Sequence, residues 1–502
     1  MNPPPAWLDR RLPGSRQVAG ALERWLGFIF FWALWSWWRE APGLIGPNGI
    51  LPAGDYLGAV RAHFGPVGRV LFAPTLLWLG HGTLTLHLIC GLGLLAAGAA
   101  MARFQPRWAL GVCAACFLSL VAAAQVFASY QSDGMLMAAG LIALFLNDRA
   151  PSWWSVFSFR WLWFSIYFGS GIAKILSGDP TWRHLTALDQ YYQNLPLPNL
   201  LGWYAQNYLP HAAEAAIAGS ILVLELFVCW LCFFPRRWRI ACFWITTPFQ
   251  LAIILTANYG FLNWLVLGLG LALLDDRHLA WIAGRLRLPW LRDESPAPAA
   301  GGWRTAAASL ALATWVLITG ANLAQRLWPP FPAPEAVTDV LAPFRIVDPF
   351  GLFAVMTPHR YEVEFQGSSD GTHWLPYRFK YKPQNPDRAP IGDLIPFVPY
   401  QPRFDWNLWF ASLAPWQQNE WVEQLELRLL DNTPAVTRLF AANPFAAHPP
   451  RAVRAVLWQY WFTTPAEKRA TGAWWRRQNL GLFAPELALT PAGAGVVRIP
   501  EG

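Results

Sequence analysis

Long apolar stretches alternate with short polar connections between residues 22 and 324. Several approach the ~20 residues that an α-helix needs to cross hydrocarbon, so each is predicted to be a membrane-spanning helix. The segment 69–80 is shorter and contains Pro74, which predicts an interfacial or re-entrant stretch. Residues 1–324 are therefore predicted to form an α-helical polytopic membrane bundle. Its nine predicted spans are 22–38, 83–101, 109–127, 134–146, 161–176, 212–234, 240–256, 261–274 and 305–324.

The pattern changes beyond the last predicted span. The proline-rich residues 325–335 predict a stiff linker, and residues 336–502 predict a smaller soluble α+β domain. Here a two-residue alternation predicts strands, and apolar residues at helical spacing predict helices. The predicted segments are a strand at 361–365, a turn at 367–371, a return strand at 374–381, helices at 403–413 and 417–430, and a strand or helix at 453–462.

Composition supports a membrane protein. Hydrophobic residues make up 55% of the chain and charged residues 14%, whereas roughly a quarter of a soluble domain is charged. The formal net charge is +8, but the basic residues do not form a stripe with interleaved aromatic residues. We therefore expect the lipid bilayer, and not nucleic acid, as a partner.

Arginines cluster in alternate connections between the predicted spans, and such connections are typically cytoplasmic. One orientation satisfies nearly all of them, with a cytoplasmic N-terminus and everything after Asn322 on the opposite, exported side. The arginines that define it are Arg10, Arg11, Arg16, Arg24, Arg103, Arg107, Arg149, Arg160, Arg236, Arg237, Arg239, Arg277, Arg285, Arg287 and Arg292.

The sequence lacks the common catalytic and cofactor motifs. It contains no zinc-binding HExxH, nucleophile elbow, P-loop or dinucleotide fingerprint. Two cysteine pairs, Cys113 with Cys116 and Cys229 with Cys232, have the CxxC spacing of redox motifs. Hydrocarbon disfavours the reactive thiolate, so a structural role is expected. We predict no catalytic residue, no metal and no cofactor. The six cysteines, all in predicted spans, are Cys90, Cys113, Cys116, Cys229, Cys232 and Cys242.

Two charged residues lie inside predicted spans. Lys174 follows a small-residue face formed by Gly169 and Ala173, which suits close helix contact. Glu225 lies mid-span and is the natural partner of Lys174, because either charge alone facing lipid is costly. The pair is either a structural clamp or part of a polar cavity that binds a ligand. Asn258 adds an amide at the outer end of a span.

The exported loop 177–211 is the most distinctive segment. Asp179 followed by Pro180 is typical of a helix start. Apolar and aromatic residues from Trp182 to Tyr192 fall on one face, which predicts an amphipathic helix at the membrane interface. The loop is either a lid over the bundle or a platform for the apolar surface of another protein.

Many of these segments occur together, and in the same order, in the lipase maturation factor family, which the chain resembles from about residue 20 to 490. The resemblance implies a polytopic membrane protein with a C-terminal domain in the lumen, where animal members help secreted lipases reach an active fold. The motifs are Phe168–Lys174, Ser177–Arg183, Thr186–Asp189, Leu195–Asn199, Trp203–Tyr204, Thr256–Phe261, Phe350–Met356, Arg360, Arg403–Phe410, Asn443–Phe445 and Gly472–Arg476. The segment Asp133–Gly140 departs from the family pattern, with Ala138 where the family has a Glu.

The resemblance and the two intramembrane charges lead to two hypotheses for function. The first is a non-enzymatic, chaperone-like membrane factor that assists an exported client such as a lipase. The second is an intramembrane enzyme for a lipid or quinone-like substrate, related to multi-span carboxylase-like families, with Lys174 and Glu225 in its site. The short loops and the Ala, Arg and Trp usage are typical of a bacterial member, which implies the inner membrane and a periplasmic C-terminal domain; a eukaryotic member implies the endoplasmic reticulum membrane. Family-motif positions expected to contact the client are Asp133, Asp179, Trp182, Arg183, Asn258, Arg360, Asp405, Trp406 and Trp409.

Overall fold

The computed structural model describes residues 15–146, 151–288, 302–390, 398–490 and 496–499. Predicted loop arginines Arg10, Arg11, Arg149 and Arg292 lie outside these residues. The α-helices of the described part are Arg16–Leu44 (α1), Ala53–His63 (α2), Pro66–Phe72 (α3), Thr83–Met101 (α4), Pro106–Val121 (α5), Gln131–Leu144 (α6), Trp153–Leu176 (α7), Pro180–Arg183 (α8), Tyr191–Asn194 (α9), Leu200–Tyr208 (α10), His211–Leu226 (α11), Arg236–Thr256 (α12), Leu262–Leu269 (α13), Asp276–Arg285 (α14), Trp303–Leu327 (α15), Glu335–Leu341 (α16), Arg403–Ala411 (α17), Trp421–Leu430 (α18), Pro434–Thr437 (α19) and Pro465–Thr471 (α20).

Short 3₁₀ segments and eight strands complete the described secondary structure. The 3₁₀ segments are Leu76–Leu79, Gln125–Ala128, Val228–Phe233, Gly270–Leu273, Ala342–Phe344 and Trp416–Gln418. The strands are Leu197–Pro198 (β1), Ala257–Asn258 (β2), Arg360–Ser368 (β3), Trp374–Pro376 (β4), Ala452–Phe462 (β5), Trp475–Leu482 (β6), Glu486–Leu489 (β7) and Val496–Ile499 (β8).

The expectation of about nine spans is wrong. All nine predicted segments are helical, but five helices in the described part are long and apolar enough to cross a membrane. Of the others, α5 has 16 residues, α6 has 14 and α13 has 8. Helix α7 has 24 residues, but its serines together with Arg160 and Lys174 make it more polar. The five candidates are Arg16–Leu44, Thr83–Met101, His211–Phe233, Arg236–Thr256 and Trp303–Leu327.

Helix α1 forms the centre of the bundle and packs against α4, α5 and α13. The outer face of α4 carries exposed leucines three or four residues apart, as expected for a helix that faces lipid on one side. Helix α7 packs between α11 and α15, and α12 packs against α13 and α10. The exposed leucines of α4 are Leu84, Leu88, Leu92 and Leu95.

The C-terminal region is α+β, with an antiparallel sheet in the order β4-β3-β5-β7-β8, and β6 also pairs with β5. The predicted hairpin is confirmed, although its return strand is confined to Trp374–Pro376. The late apolar run, predicted as strand or helix, is strand β5. Helix α17 packs on β3 and also on α1, so it lies between the sheet and the bundle.

The loop 177–211 does not form one amphipathic helix. Asp179 caps α8 as predicted, by accepting a hydrogen bond from the Thr181 N–H at 2.8 Å. Helix α8 ends after one turn because Leu185 adopts a left-handed conformation with φ 58°. The chain then folds back through α9 and pairs β1 with β2. The loop is therefore a compact cover that packs on the bundle.

Candidate functional site

The two charged residues predicted from the spans form a buried ion pair. Lys174 Nζ lies 2.7 Å and 3.0 Å from the two carboxylate oxygens of Glu225, and it also donates to the Leu352 carbonyl at 3.0 Å. The Trp182 ring centroid is 5.0 Å from the same ammonium, within cation–π range. Both side chains are almost fully buried. Three hydrogen-bond acceptors and an aromatic face therefore replace the water that the ammonium loses.

The ion pair lies in the wall of a largely apolar chamber of about 580 Å³. Three hydrogen-bonded polar side chains line the same chamber. Asn263 donates to Gln250 at 2.8 Å, and Gln250 donates to the Tyr167 hydroxyl at 2.7 Å. The remaining wall comes from α7, α10, α11, α12 and α13 and from the C-terminal region. A chamber with a few convergent polar groups on an apolar wall is typical of a site for a mostly apolar ligand.

A second chamber, of about 550 Å³, lies beside the first. Both are lined by Tyr191, Leu262, Leu352, Phe353 and Met356, so these residues form the partition between them. The last three belong to a family motif of the C-terminal region. The partition thus includes a segment of that region inserted against the bundle.

Asp179 and Trp182 fix the partition in place. The Asp179 carboxylate accepts from the Met356 N–H at 2.7 Å, and the Trp182 indole N–H donates to the Phe353 carbonyl at 3.0 Å. Burial alone would raise the pKa of Asp179, but the N–H groups of Met356 and Thr181 outweigh it and leave the pKa below its ordinary value. Phe353 itself has φ 55°, a strained conformation that these contacts hold.

Asp133 and Arg403 form the main polar tie between the bundle and the C-terminal region. The two terminal guanidinium nitrogens of Arg403 donate to the two carboxylate oxygens of Asp133, at 2.7 Å and 3.0 Å. Neither side chain has any exposed surface. Arg403 also donates to the Phe127 carbonyl at 3.0 Å and lies 4.3 Å from the Trp37 ring centroid. This bidentate geometry is the strongest form of an Arg–carboxylate contact.

Asp405, on the same helix as Arg403, is also buried. Its carboxylate accepts from the backbone N–H groups of Tyr381 and Lys382 at 3.4 Å and 3.3 Å. Burial raises the pKa of Asp405 to about 6, although the Lys382 charge and the two N–H groups act in the opposite direction. Asp405 thus holds the loop after β4 against α17.

Of three further family-motif residues, Arg360 and Trp409 hold the loop 177–211 against the C-terminal region, and Asn258 holds it against the bundle. Arg360 donates to the Gln193 carbonyl at 2.9 Å and also pairs with Glu362. The Trp409 indole donates to the Asn194 carbonyl at 3.1 Å. Asn258 lies in β2, the strand that pairs with β1 of the loop.

The structure does not support an exposed contact surface formed by most of the family-motif positions. The nine positions are buried with one exception, Arg183, which is exposed. Trp182 and Trp406 are 3% and 6% exposed and line the first and second chamber, respectively. The tryptophans of the family motifs predicted contact with a client, but these side chains contact other parts of the same chain.

Sequence reasoning missed two parts of the site. The Tyr167–Gln250 contact joins α7 and α12, and polar residues inside two predicted spans were the available signal. The cluster of Asp189, His211 and Glu214 could hold a metal ion, and the signal was a His and a Glu three residues apart on one helix face.

The fold and site define an integral membrane protein whose helical bundle and C-terminal region together line two chambers. Family models for the lipase maturation factor transmembrane domain and C-terminal domain match residues 17–281 and 346–485. The chain therefore belongs to the lipase maturation factor family.

Full-length relatives agree with this assignment. The chain is 33% identical to lipase maturation factor 1 of Bos taurus, over 93% of this chain and 88% of that protein. It is 31% identical to lipase maturation factor 1 of Homo sapiens, over 92% and 86% of the two chains. Lipase maturation factor 2 of Homo sapiens is 29% identical, over 95% and 84%. No solved structure matches the chain.

Proposed function

We propose that the chain is a membrane-embedded maturation factor that assists the folding or assembly of an exported client such as a lipase, without catalysing a reaction itself. One observation carries the proposal: similarity to lipase maturation factors extends over 93% of the chain and includes both the bundle and the C-terminal region. The relatives that are named for lipase maturation are thus similar to this chain in both regions.

Contacts between the exported loop and the C-terminal region support a common side for both. Asn194 donates to the Thr357 carbonyl at 2.7 Å, in addition to the contacts of Arg360 and Trp409. With the arginine distribution, this favours a cytoplasmic N-terminus and a C-terminal region in the periplasm or lumen. A client crossing the membrane would meet the loop and this region together.

Exposed apolar residues at the second chamber are the best candidates for client contact. Val355, Phe410 and Leu413 line this chamber and are 68%, 43% and 41% exposed. Exposed aromatic and aliphatic side chains beside a cavity are typical of protein-binding surfaces. Arg183 is the exposed family-motif residue on the loop side.

The first experiment measures client activity. Deletion of the gene should lower the activity of a secreted lipase per unit mass of lipase, and the wild-type gene should restore it. Phe410→Ser should restore it poorly at an unchanged melting temperature. Leu480→Ser is the matched control, because Leu480 is 43% exposed on β6 and does not line the chamber. Unchanged lipase activity on deletion would contradict the proposal.

A second experiment separates a clamp from a catalytic Lys174. Replacement of both partners of a buried ion pair by apolar residues is often neutral, whereas removal of one partner leaves a buried charge. The double variant Lys174→Met with Glu225→Leu should therefore keep the fold and the maturation activity, while Lys174→Met alone should destabilise. A folded double variant without maturation activity would instead favour the enzyme hypothesis.

A further inference from the structure

Three metal-ligating side chains meet at the outer end of α11. The ligand atoms of Asp189, His211 and Glu214 all lie within 4.8 Å of one another. His211 and Glu214 are in the first turn of α11, three residues apart and so on the same face. Asp189 comes from the exported loop, and its carbonyl accepts a hydrogen bond from Gln206.

One oxygen of the buried Glu214 carboxylate lacks a hydrogen-bond donor among the described residues. Glu214 is 5% exposed, and its Oε1 has no hydrogen-bond partner among the described residues. Asp189 contacts His211 at 3.1 Å, and no Lys or Arg in the described part forms an ion pair with either carboxylate. A buried carboxylate oxygen without a partner, facing a second carboxylate, requires a shared proton, a compensating cation or water.

We propose that Asp189, His211 and Glu214 form a binding site for Zn²⁺. One imidazole and two carboxylates are ligands that zinc accepts, and a water molecule completes a tetrahedral set. Calcium and magnesium prefer oxygen ligands alone, so the imidazole argues against them. The two carboxylates balance the charge of the ion.

The geometry needs only a small adjustment. Zinc ligands at ~2.0–2.2 Å from the ion are about 3.3–3.6 Å apart in a tetrahedron. The His211 side chain is 64% exposed and that of Asp189 is 39% exposed, so both can turn towards Glu214 without disturbing the core. Their exposure also leaves room for the water ligand.

A bound ion would join the exported loop to α11. Leu188 and Tyr192, close to Asp189 in the chain, line the first chamber together with Ile217 of α11. Zinc would therefore fix the outer wall of that chamber. This role does not depend on the identity of any client.

The test measures zinc in the full-length protein, purified in detergent without a polyhistidine tag. After removal of metal with a chelator and reloading with ZnCl₂, the wild type should retain one zinc per chain by elemental analysis. Its melting temperature should rise by about 2–4 °C. Glu214→Gln, Asp189→Asn and His211→Ala should each lower zinc affinity at least tenfold. His184→Ala is the matched control, since His184 is exposed in the same loop and lies outside the cluster.

The outcomes are distinguishable from loss of folding. Glu214→Gln preserves shape, so its melting temperature in chelator should be no lower than that of the wild type. Zinc bound equally by wild type and Glu214→Gln would overturn the proposal, as would no zinc bound by the folded wild type. Stabilisation by CaCl₂ but not by ZnCl₂ would overturn the identity of the ion.

Discussion

Charged side chains at the junction of bundle and C-terminal region lie almost entirely out of water. Asp133 and Arg403 have no exposed surface, and Asp405 is 1% exposed. Removing a charge of this kind from water costs several kcal/mol, so each group depends on its partner. Loss of one partner should therefore be strongly destabilising.

Arg403→Met should destabilise the protein by about 3–5 kcal/mol, because it leaves Asp133 buried without its bidentate partner. The melting temperature, followed by tryptophan fluorescence, checks this. Arg498→Met is the control: Arg498 pairs with Glu423, but its side chain is 60% exposed, so the loss should not exceed ~1 kcal/mol. Equal effects of the two variants would refute the proposed tie.

Asp405→Asn should stabilise the protein above pH 6. The pKa of Asp405 is raised by burial from the ordinary 3.8 to about 6, so the folded state binds the proton more tightly than the unfolded state. The stability that this proton contributes is complete below about pH 4 and is lost as the pH rises through 6. Asn resembles the protonated acid. The free energy of unfolding of Asp405→Asn should therefore exceed that of the wild type by an amount that grows over this range to at most ~3 kcal/mol.

The melting temperatures of the wild type and of Asp405→Asn from pH 4 to pH 8 measure this difference. The other carboxyl groups titrate alike in the two proteins, so their effects cancel. A constant difference across the range would contradict a raised pKa of Asp405.

At the scale of elements, small residues on two sides of α7 allow close packing in two directions. A Cβ on Gly171 would lie 3.0 Å from the Glu225 Cβ of α11, as expected for close helix contact. A Cβ on Gly169 would lie 2.5 Å from the Phe350 carbonyl oxygen. The sequence motif indicated close packing, but not that one partner is a backbone segment of the C-terminal region.

Gly169→Ala should destabilise by about 1–3 kcal/mol, because the Phe350 backbone must move away. Gly98→Ala is the matched control in α4, where a new Cβ meets nothing within 4 Å. Alanine there should be neutral or stabilising by up to ~1 kcal/mol, since it favours the helix. Melting temperatures that fall equally for both would contradict the close approach at Gly169.

Element positions followed from hydrophobic periodicity, but the contacts between them did not. All nine predicted apolar segments are helical, and α4 has the predicted bounds. Hydropathy could not reveal that Leu185 breaks the loop helix, because its left-handed φ depends on tertiary contacts. The Lys174–Glu225 pair could be predicted, since two intramembrane charges have few alternative partners. Arg403–Asp133 spans 270 residues and follows from no local pattern.

At the scale of the whole molecule, bundle and C-terminal region share one hydrophobic core. The same cluster of buried residues includes Phe30 of α1, Phe127 beside α6 and Phe404 of α17. Helix α17 lies between β3 and α1, and Glu40 of α1 accepts from the Phe404 N–H at 3.0 Å. The hydrophobic core of the C-terminal region is thus completed by the bundle.

Residues 336–502 expressed alone should therefore not fold. Their fragment would uncover Trp421 and Trp406, whose rings contact Phe127 and Tyr130 in the whole chain, and would leave Arg403 without Asp133. We expect poor dispersion in an NMR spectrum and no cooperative melting, whereas co-expression with residues 1–335 should restore a complex that melts in one transition. Arg403→Met should prevent that recovery, because it removes the central tie. A fragment that melts cooperatively by itself would mean that the sheet region is an independent domain and that its contacts with the bundle serve regulation instead of folding.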